Sequence, residues 1–206
     1  IRANGLTEAG LKIVVTGGYA SDGYSPSTPN VLILELPPLT YPADRFAAGV
    51  KLMLFEYHRT FPTAKTINYI VGINLLPQMR AAGAEDVLFH SGGHIYETTR
   101  ANFFIVAQDG TIVTAGDGIL KGVTRKHTLE LARQHYKVEE RPLAFDEVKT
   151  AKEAFITSST KRVMPVVQLD GITIGDGKPG PTARHLLELL KQEEERYLTQ
   201  TPVLTT

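Results

Sequence analysis

The chain contains no cysteine, carries no net charge, and has no apolar run near the length of about eighteen residues that would cross a bilayer. Without cysteine there are no disulfides and no thiolate chemistry, and the redox compartment stays open. Lys and Arg together number 22, as do Asp and Glu, so nothing draws the chain in general toward nucleic acid or an anionic membrane. Metal-ligand spacing is missing as well. Of six histidines, His90 and His94 stand four apart, but across Gly92-Gly93 rather than on a helix, which rules out a zinc site. Gly17-Gly18 is not followed by a phosphate-loop pattern, and Glu193-Glu194-Glu195 reads as a solvated helix face. No signal-peptide pattern shows in these residues, and no repeat, long linker or low-complexity segment is visible. The chain opens on Ile1-Arg2-Ala3-Asn4 without an initiator methionine and is read as truncated at its start.

What is present suits one large globular domain: 206 residues, 42% apolar and 21% charged. Leu11 to Val15, Val31 to Leu36 and Val50 to Tyr57 read as strands, separated by turn formers such as Gly17-Gly18 and Pro37-Pro38. From Thr66 to Ala82 the apolar residues Ile67, Ile70, Val71, Leu75 and Met79 recur at a helical period, and Pro77 should kink or end that helix. Asp86 to His90, His94 to Tyr96, Asn102 to Val106 and Thr111 to Val113 are short strands, with Gly92-Gly93 and Asp109-Gly110 as hairpin turns. A helix is expected from about Thr124 to Tyr136, then a short one from Phe145 feeding a strand from Ala154 to Thr157. Pro165 to Leu169 and Ile172 to Ile174 flank Asp170-Gly171, a hairpin signal, and a strong helix runs from Pro181 to about Leu198. The expected class is α+β, with one domain over residues 1–198 and a loose tail at 199–206.

Four segments carry chemistry. Lys65 lies in Pro62-Thr63-Ala64-Lys65-Thr66-Ile67-Asn68, where a strand gives way to a helix. Glu97 interrupts a strand-like stretch, Leu120-Lys121-Gly122-Val123-Thr124-Arg125 is a glycine turn opening a helix, and Ser158-Ser159-Thr160 ends a strand in hydroxyls. A Schiff-base lysine must be neutral for part of its cycle, which calls for burial or a neighbouring cation, so Lys65 is expected to point into a cavity. A carboxylate such as Glu97 can keep a pyridine nitrogen protonated, and the amides of Val123 and Thr124 at a helix start are an anion site. Together these groups are what pyridoxal phosphate requires. Each alone admits a plainer reading. Lys65 could be a solvated lysine, Glu97 a solvent-facing strand residue, Thr124 an N-cap, and Ser158 to Thr160 a polar turn.

In order and spacing the four segments resemble the class IV, or fold-type IV, pyridoxal-phosphate enzymes. These are the branched-chain aminotransferases, D-amino acid aminotransferases and aminodeoxychorismate lyases, and the similarity runs from about Leu11 to Leu190. The resemblance implies the large C-terminal domain of the D-amino acid aminotransferase-like fold, a mixed β pseudo-barrel with surrounding helices. It also implies a small domain of about a hundred residues ahead of Ile1. It assigns the Schiff base to Lys65, followed by Asn68, and pairs Glu97 with the ring nitrogen in Glu97-Thr98-Thr99-Arg100-Ala101-Asn102-Phe103-Phe104. Leu120 would pack on the ring. Gly122, the amides of Val123 and Thr124, and Ser159 with Ser158 beside it would hold the phosphate. Tyr69 is the candidate partner of the ring hydroxyl, although it stands four residues after Lys65 rather than the five of the branched-chain enzymes. The residues that bind the substrate carboxylate do not carry over. The implied activity is transfer of an amino group between an amino acid, of the branched-chain or D-amino acid class, and a 2-keto acid. The alternatives are release of pyruvate by an aminodeoxychorismate lyase, or a non-catalytic domain that keeps only the fold. A cytoplasmic homodimer acting on small molecules, with no nucleic acid or membrane partner, completes the expectation.

Overall fold

The computed structural model describes residues 4–6 and 8–200, and the chain divides into two compact units at Thr40/Tyr41. The first unit is a ribbon of β1 (Gly10–Thr16) and β2 (Asn30–Leu36), antiparallel from Gly10↔Leu36 to Thr16↔Asn30. In the connecting loop the Asp22 carboxylate accepts from the Tyr24 amide (3.0 Å), the Ser25 amide (2.9 Å) and the Ser25 hydroxyl (2.6 Å). With the Ser25 hydroxyl contributing most, these donors hold its pKa down at about 2.

The second unit begins with α1 (Ala43–Ala48), β3 (Val50–Glu56), α2 (Ile70–Ala81), β4 (Asp86–Ser91), β5 (His94–Thr98) and β6 (Asn102–Val106). It continues through β7 (Ile112–Thr114), α3 (Val123–Ala132), β8 (Val138–Glu140), β9 (Leu143–Ala144) and α4 (Phe145–Lys149). Last come β10 (Glu153–Ser158), β11 (Arg162–Leu169), β12 (Ile172–Thr173) and α5 (Pro181–Gln200). The strands form one mixed sheet in the order β8-β7-β6-β10-β11-β3-β4-β5-β9, with β12 on β11. One further pairing, Glu97↔Asn102 between β5 and β6, closes six of these strands into a ring.

The ring is filled from every side. Leu52, Leu88, Ile95, Phe103, Ile156 and Met164, one from each ring strand, belong to a single buried cluster. A second cluster lies where α3 and α5 cover β6 and β10, with Leu129, Leu186 and Leu190 around the stacked rings of Phe104 and Phe155, 4.8 Å apart. In a third, Val71 and Leu75 of α2 meet Val87 and Phe89 of β4. Burying a Leu or Phe contributes about 1.5–3 kcal/mol, so the three buried leucines of α5 fix that helix firmly. Its first turn is held from another strand: the Glu153 carboxylate accepts from the Thr182 and Ala183 amides, each at 3.0 Å.

Several expectations need correction. Helix α2 starts at Ile70, not Thr66, because side chains compete for the backbone before it. The Thr66 hydroxyl accepts from the Asn68 amide (3.4 Å) and Asn68 Oδ1 from the Ile70 amide (3.3 Å). Pro77 neither ends nor splits the helix, which runs through it to Ala81. The third helix stops at Ala132 rather than Tyr136. Elements α1, β8 and β9 were not anticipated, each being too short to show a period. Thr199 and Gln200, assigned to the tail, belong to α5, and residues 201–206 lie outside the described residues. Among the described residues no helix is long and apolar enough to cross a membrane, and no cluster of ligating side chains could hold a metal ion.

Candidate active site

The closing pair of the ring brings polar residues into line. Glu97, the penultimate residue of β5, lies opposite Asn102 of β6, and Asn102 in turn faces Thr157 near the end of β10. All three are almost fully buried. Asn102 clamps the loop that leads into α3: its Nδ2 donates to the Leu120 carbonyl (2.6 Å), and its Oδ1 accepts from the Gly122 amide (3.3 Å). A Cβ at Gly122 would stand 2.6 Å from Asn102 Oδ1, so only glycine fits this approach.

Glu97 is held by two donors. The Leu120 amide reaches both carboxylate oxygens, each at 3.1 Å, and Arg59 Nη1 donates to Oε1 at 3.0 Å. Burial pushes the Glu97 carboxyl up from its ordinary value by more than Arg59 and the Leu120 amide pull it down. The same guanidinium donates from Nη1 to the Pro62 carbonyl (3.3 Å) and from Nη2 to the Ala64 carbonyl (2.8 Å). Arg59 therefore joins Glu97 directly to the backbone that precedes Lys65. Behind it, the His58 ring packs on Tyr96 at 4.3 Å, and its Nε2 lies 3.0 Å from the Gly118 carbonyl.

Lys65 itself is exposed in the described chain, not enclosed in a hollow as expected. Arg59 borders one of two concavities in this region, and its neighbour His58 borders the other. One of about 80 Å³ is bordered by Arg59, Thr66, Asn68, Tyr69 and Thr99. The other, of about 300 Å³, is bordered by His58, Tyr96, Asp117 and Gly118. Tyr69 precedes the first residue of α2 and is 38% exposed.

Helix α3 is capped by Gly122, which brings no side chain to its first turn, so Thr124 is not the N-cap. Val123 is exposed, while Leu120, Gly122 and Thr124 are half-buried. Ser158 ends β10 and is half-buried, and Ser159 opens the turn to β11 and is exposed. The buried Thr157 hydroxyl has no hydrogen-bond partner among the described residues. Glu97, Leu120 and Gly122 thus converge directly around Asn102, and Ser158 lies one residue beyond the strand partner of Asn102. Arg59 joins the backbone just before Lys65 to this group. Nothing in the sequence marks Arg59, which lies in coil where no period shows a functional face, and Asn102 stands out only by its place in the motif.

The family model for amino-transferase class IV matches residues 1–169. D-alanine aminotransferase of Bacillus licheniformis is 30% identical over 195 residues, 91% of this chain and 68% of that protein. The Escherichia coli branched-chain amino acid aminotransferase structure superposes with a TM-score of 0.80 at 25% identity, over 93% of this chain and 67% of its own. A Legionella pneumophila protein provisionally named 4-amino-4-deoxychorismate lyase superposes with a TM-score of 0.82 at 27% identity, over 93% of this chain and 72% of its own. The chain spans only part of each of these relatives. On the breadth of the family match and the agreement in fold, the chain belongs to the class IV aminotransferases, a family of enzymes that depend on pyridoxal phosphate.

Proposed function

We propose that this chain binds pyridoxal phosphate through Lys65 and moves an amino group between an amino acid, of the branched-chain or D-amino acid class, and a 2-keto acid. The observation that carries the reading is the Arg59 bridge, which ties the buried carboxylate of Glu97 to the carbonyl next to Lys65.

The residues present fit the cofactor. The unpartnered hydroxyl of Thr157, the α3 start without a side-chain cap, and the glycine-only approach at Gly122 leave donors free where a phosphate would need them. The amides of Val123 and Thr124 and the hydroxyls of Ser158 and Ser159 would hold that phosphate, Leu120 would cover the ring, and Tyr69 is assigned to the ring hydroxyl. When bound, pyridoxal phosphate supplies an aldehyde for an amine to condense with and a ring that takes up electrons. Glu97, with Arg59 donating to its Oε1, would hold a proton on the ring nitrogen. The Lys65 Nζ would be the amine that holds the cofactor and, when free, would move a proton at the substrate Cα. A cytoplasmic homodimer belongs to the same reading and rests on the family resemblance.

A second reading, release of pyruvate from aminodeoxychorismate, is favoured by the superposition on the Legionella protein. Assaying amino transfer to a keto acid beside pyruvate release separates the two. In either case a Lys65→Ala chain should show neither activity, and retention of either would remove Lys65 from its assigned place.

A further inference from the structure

The turn between β10 and β11 contains a buried cation that the reading above does not use. Lys161 is 2% exposed, and its backbone amide donates to the Ser158 hydroxyl at 3.2 Å. Its Nζ lies 3.4 Å from Glu85 Oε1 and 3.7 Å from Asp86 Oδ2, and 5.5 Å above the centre of the Tyr41 ring. Asp86 is itself 1% exposed and accepts from the Val87 amide (2.8 Å), from the Thr98 hydroxyl (3.1 Å) and from the Thr99 hydroxyl. Thr98 and Thr99 directly follow Glu97. One carboxylate therefore faces both turns of the site: the one that begins at Glu97 and the one that holds Ser158, Ser159 and Thr160.

A buried ion pair is poor at adding stability compared with well-packed apolar side chains, because desolvation offsets most of the attraction. It is better suited to fixing where two segments stand, since an unpaired charge in that place is strongly disfavoured. We infer that Lys161 is a positioning residue for the cofactor. Paired with Glu85 and Asp86, it fixes the Ser158–Thr160 turn relative to Glu97, and so sets the distance between the phosphate end and the ring end of the site. The inference rests on the proposed binding of pyridoxal phosphate and adds a residue that touches neither cofactor nor substrate.

The test uses two probes, pyridoxal phosphate and pyridoxal, which share the ring and differ in the phosphate. Both are titrated into the unaltered chain, Lys161→Met and Glu85→Gln, with binding followed by absorbance. Lys161→Met should weaken pyridoxal phosphate binding about tenfold, and Glu85→Gln about threefold, while pyridoxal affinity stays unchanged in both. Equal affinity for pyridoxal phosphate in all three chains overturns the inference, as does an equal loss for both probes, which would mark a general effect on folding. Should Lys161→Met fail to fold by circular dichroism, Glu85→Gln decides alone, because Asp86 keeps its hydrogen bonds there. An unaltered chain that binds neither probe removes the proposed function and this inference together. Normal binding with an unchanged preference removes only the inference.

Discussion

Arg59 donates to three acceptors on two different segments, the Glu97 carboxylate and the carbonyls of Pro62 and Ala64. Its side chain is 19% exposed and that of Glu97 6%, so the pair is shielded enough for its loss to be felt. Arg59→Met should cost about 2 kcal/mol of stability in urea unfolding, because Glu97 keeps only the Leu120 amide. Arg59→Lys should not restore it, since a single ammonium cannot reproduce the planar fork. A loss below about 0.5 kcal/mol would show the bridge to be slack. The raised Glu97 pKa has its own signature. The folded chain binds the proton more tightly than the unfolded one, so the Glu97 contribution to stability is largest at low pH. It should fall as pH rises from the ordinary carboxyl value through the raised one, then level off. Glu97→Gln should remove that slope from a series of unfolding midpoints taken across the window, and an unchanged slope would place its origin elsewhere. Glu97 was legible because it breaks an apolar strand. Arg59, Asp86 and Lys161 were not, because their partners are 38, 75 and 76 residues away in sequence.

Among the elements, α5 and most strands read correctly from sequence, while α1, β8 and β9 did not. Helix α5 was visible from Pro181 and its leucines, whereas β9, two residues long, exists only by pairing with β5. Helix α2 shows how local chemistry overrides a pattern. The apolar period extends back to Ile67, yet Thr66 and Asn68 hold that stretch in a turn and leave Ile67 exposed. Its continuation through Pro77 rests on packing, since Val71, Leu75 and Met79 on both sides of the proline reach the same cluster. The loop into α3 carries the prediction at this scale. Gly122→Ala places a methyl against Asn102 Oδ1 without demanding an unusual backbone angle, because Gly122 has a φ of −66°. The fold should survive with about 1 kcal/mol lost, while the clamp on Leu120 loosens and cofactor affinity falls about tenfold. Equal affinity in the alanine variant would show that the clamp does not govern the site.

At the scale of the whole molecule, the ring of strands brings together residues from β5, β6 and β10 and the loop into α3. The family resemblance implied that closure as a β pseudo-barrel, but no local pattern marked the single cross-strand pair, Glu97 with Asn102, on which it depends. The α+β class and the family were readable, because the glycine turn and the glutamate motif keep their spacing in sequence. The position of Lys65 is the point on which the chemistry turns, and its exposure in the described chain makes it the residue to test. The most direct measurement is to load the chain with pyridoxal phosphate, reduce it with borohydride, digest it, and locate the phosphopyridoxyl group by mass spectrometry. The expected result is a label on the peptide that contains Lys65, absent from the Lys65→Ala chain. A label spread over other lysines, or none at all, would contradict the assignment of Lys65 as the amine that holds the cofactor.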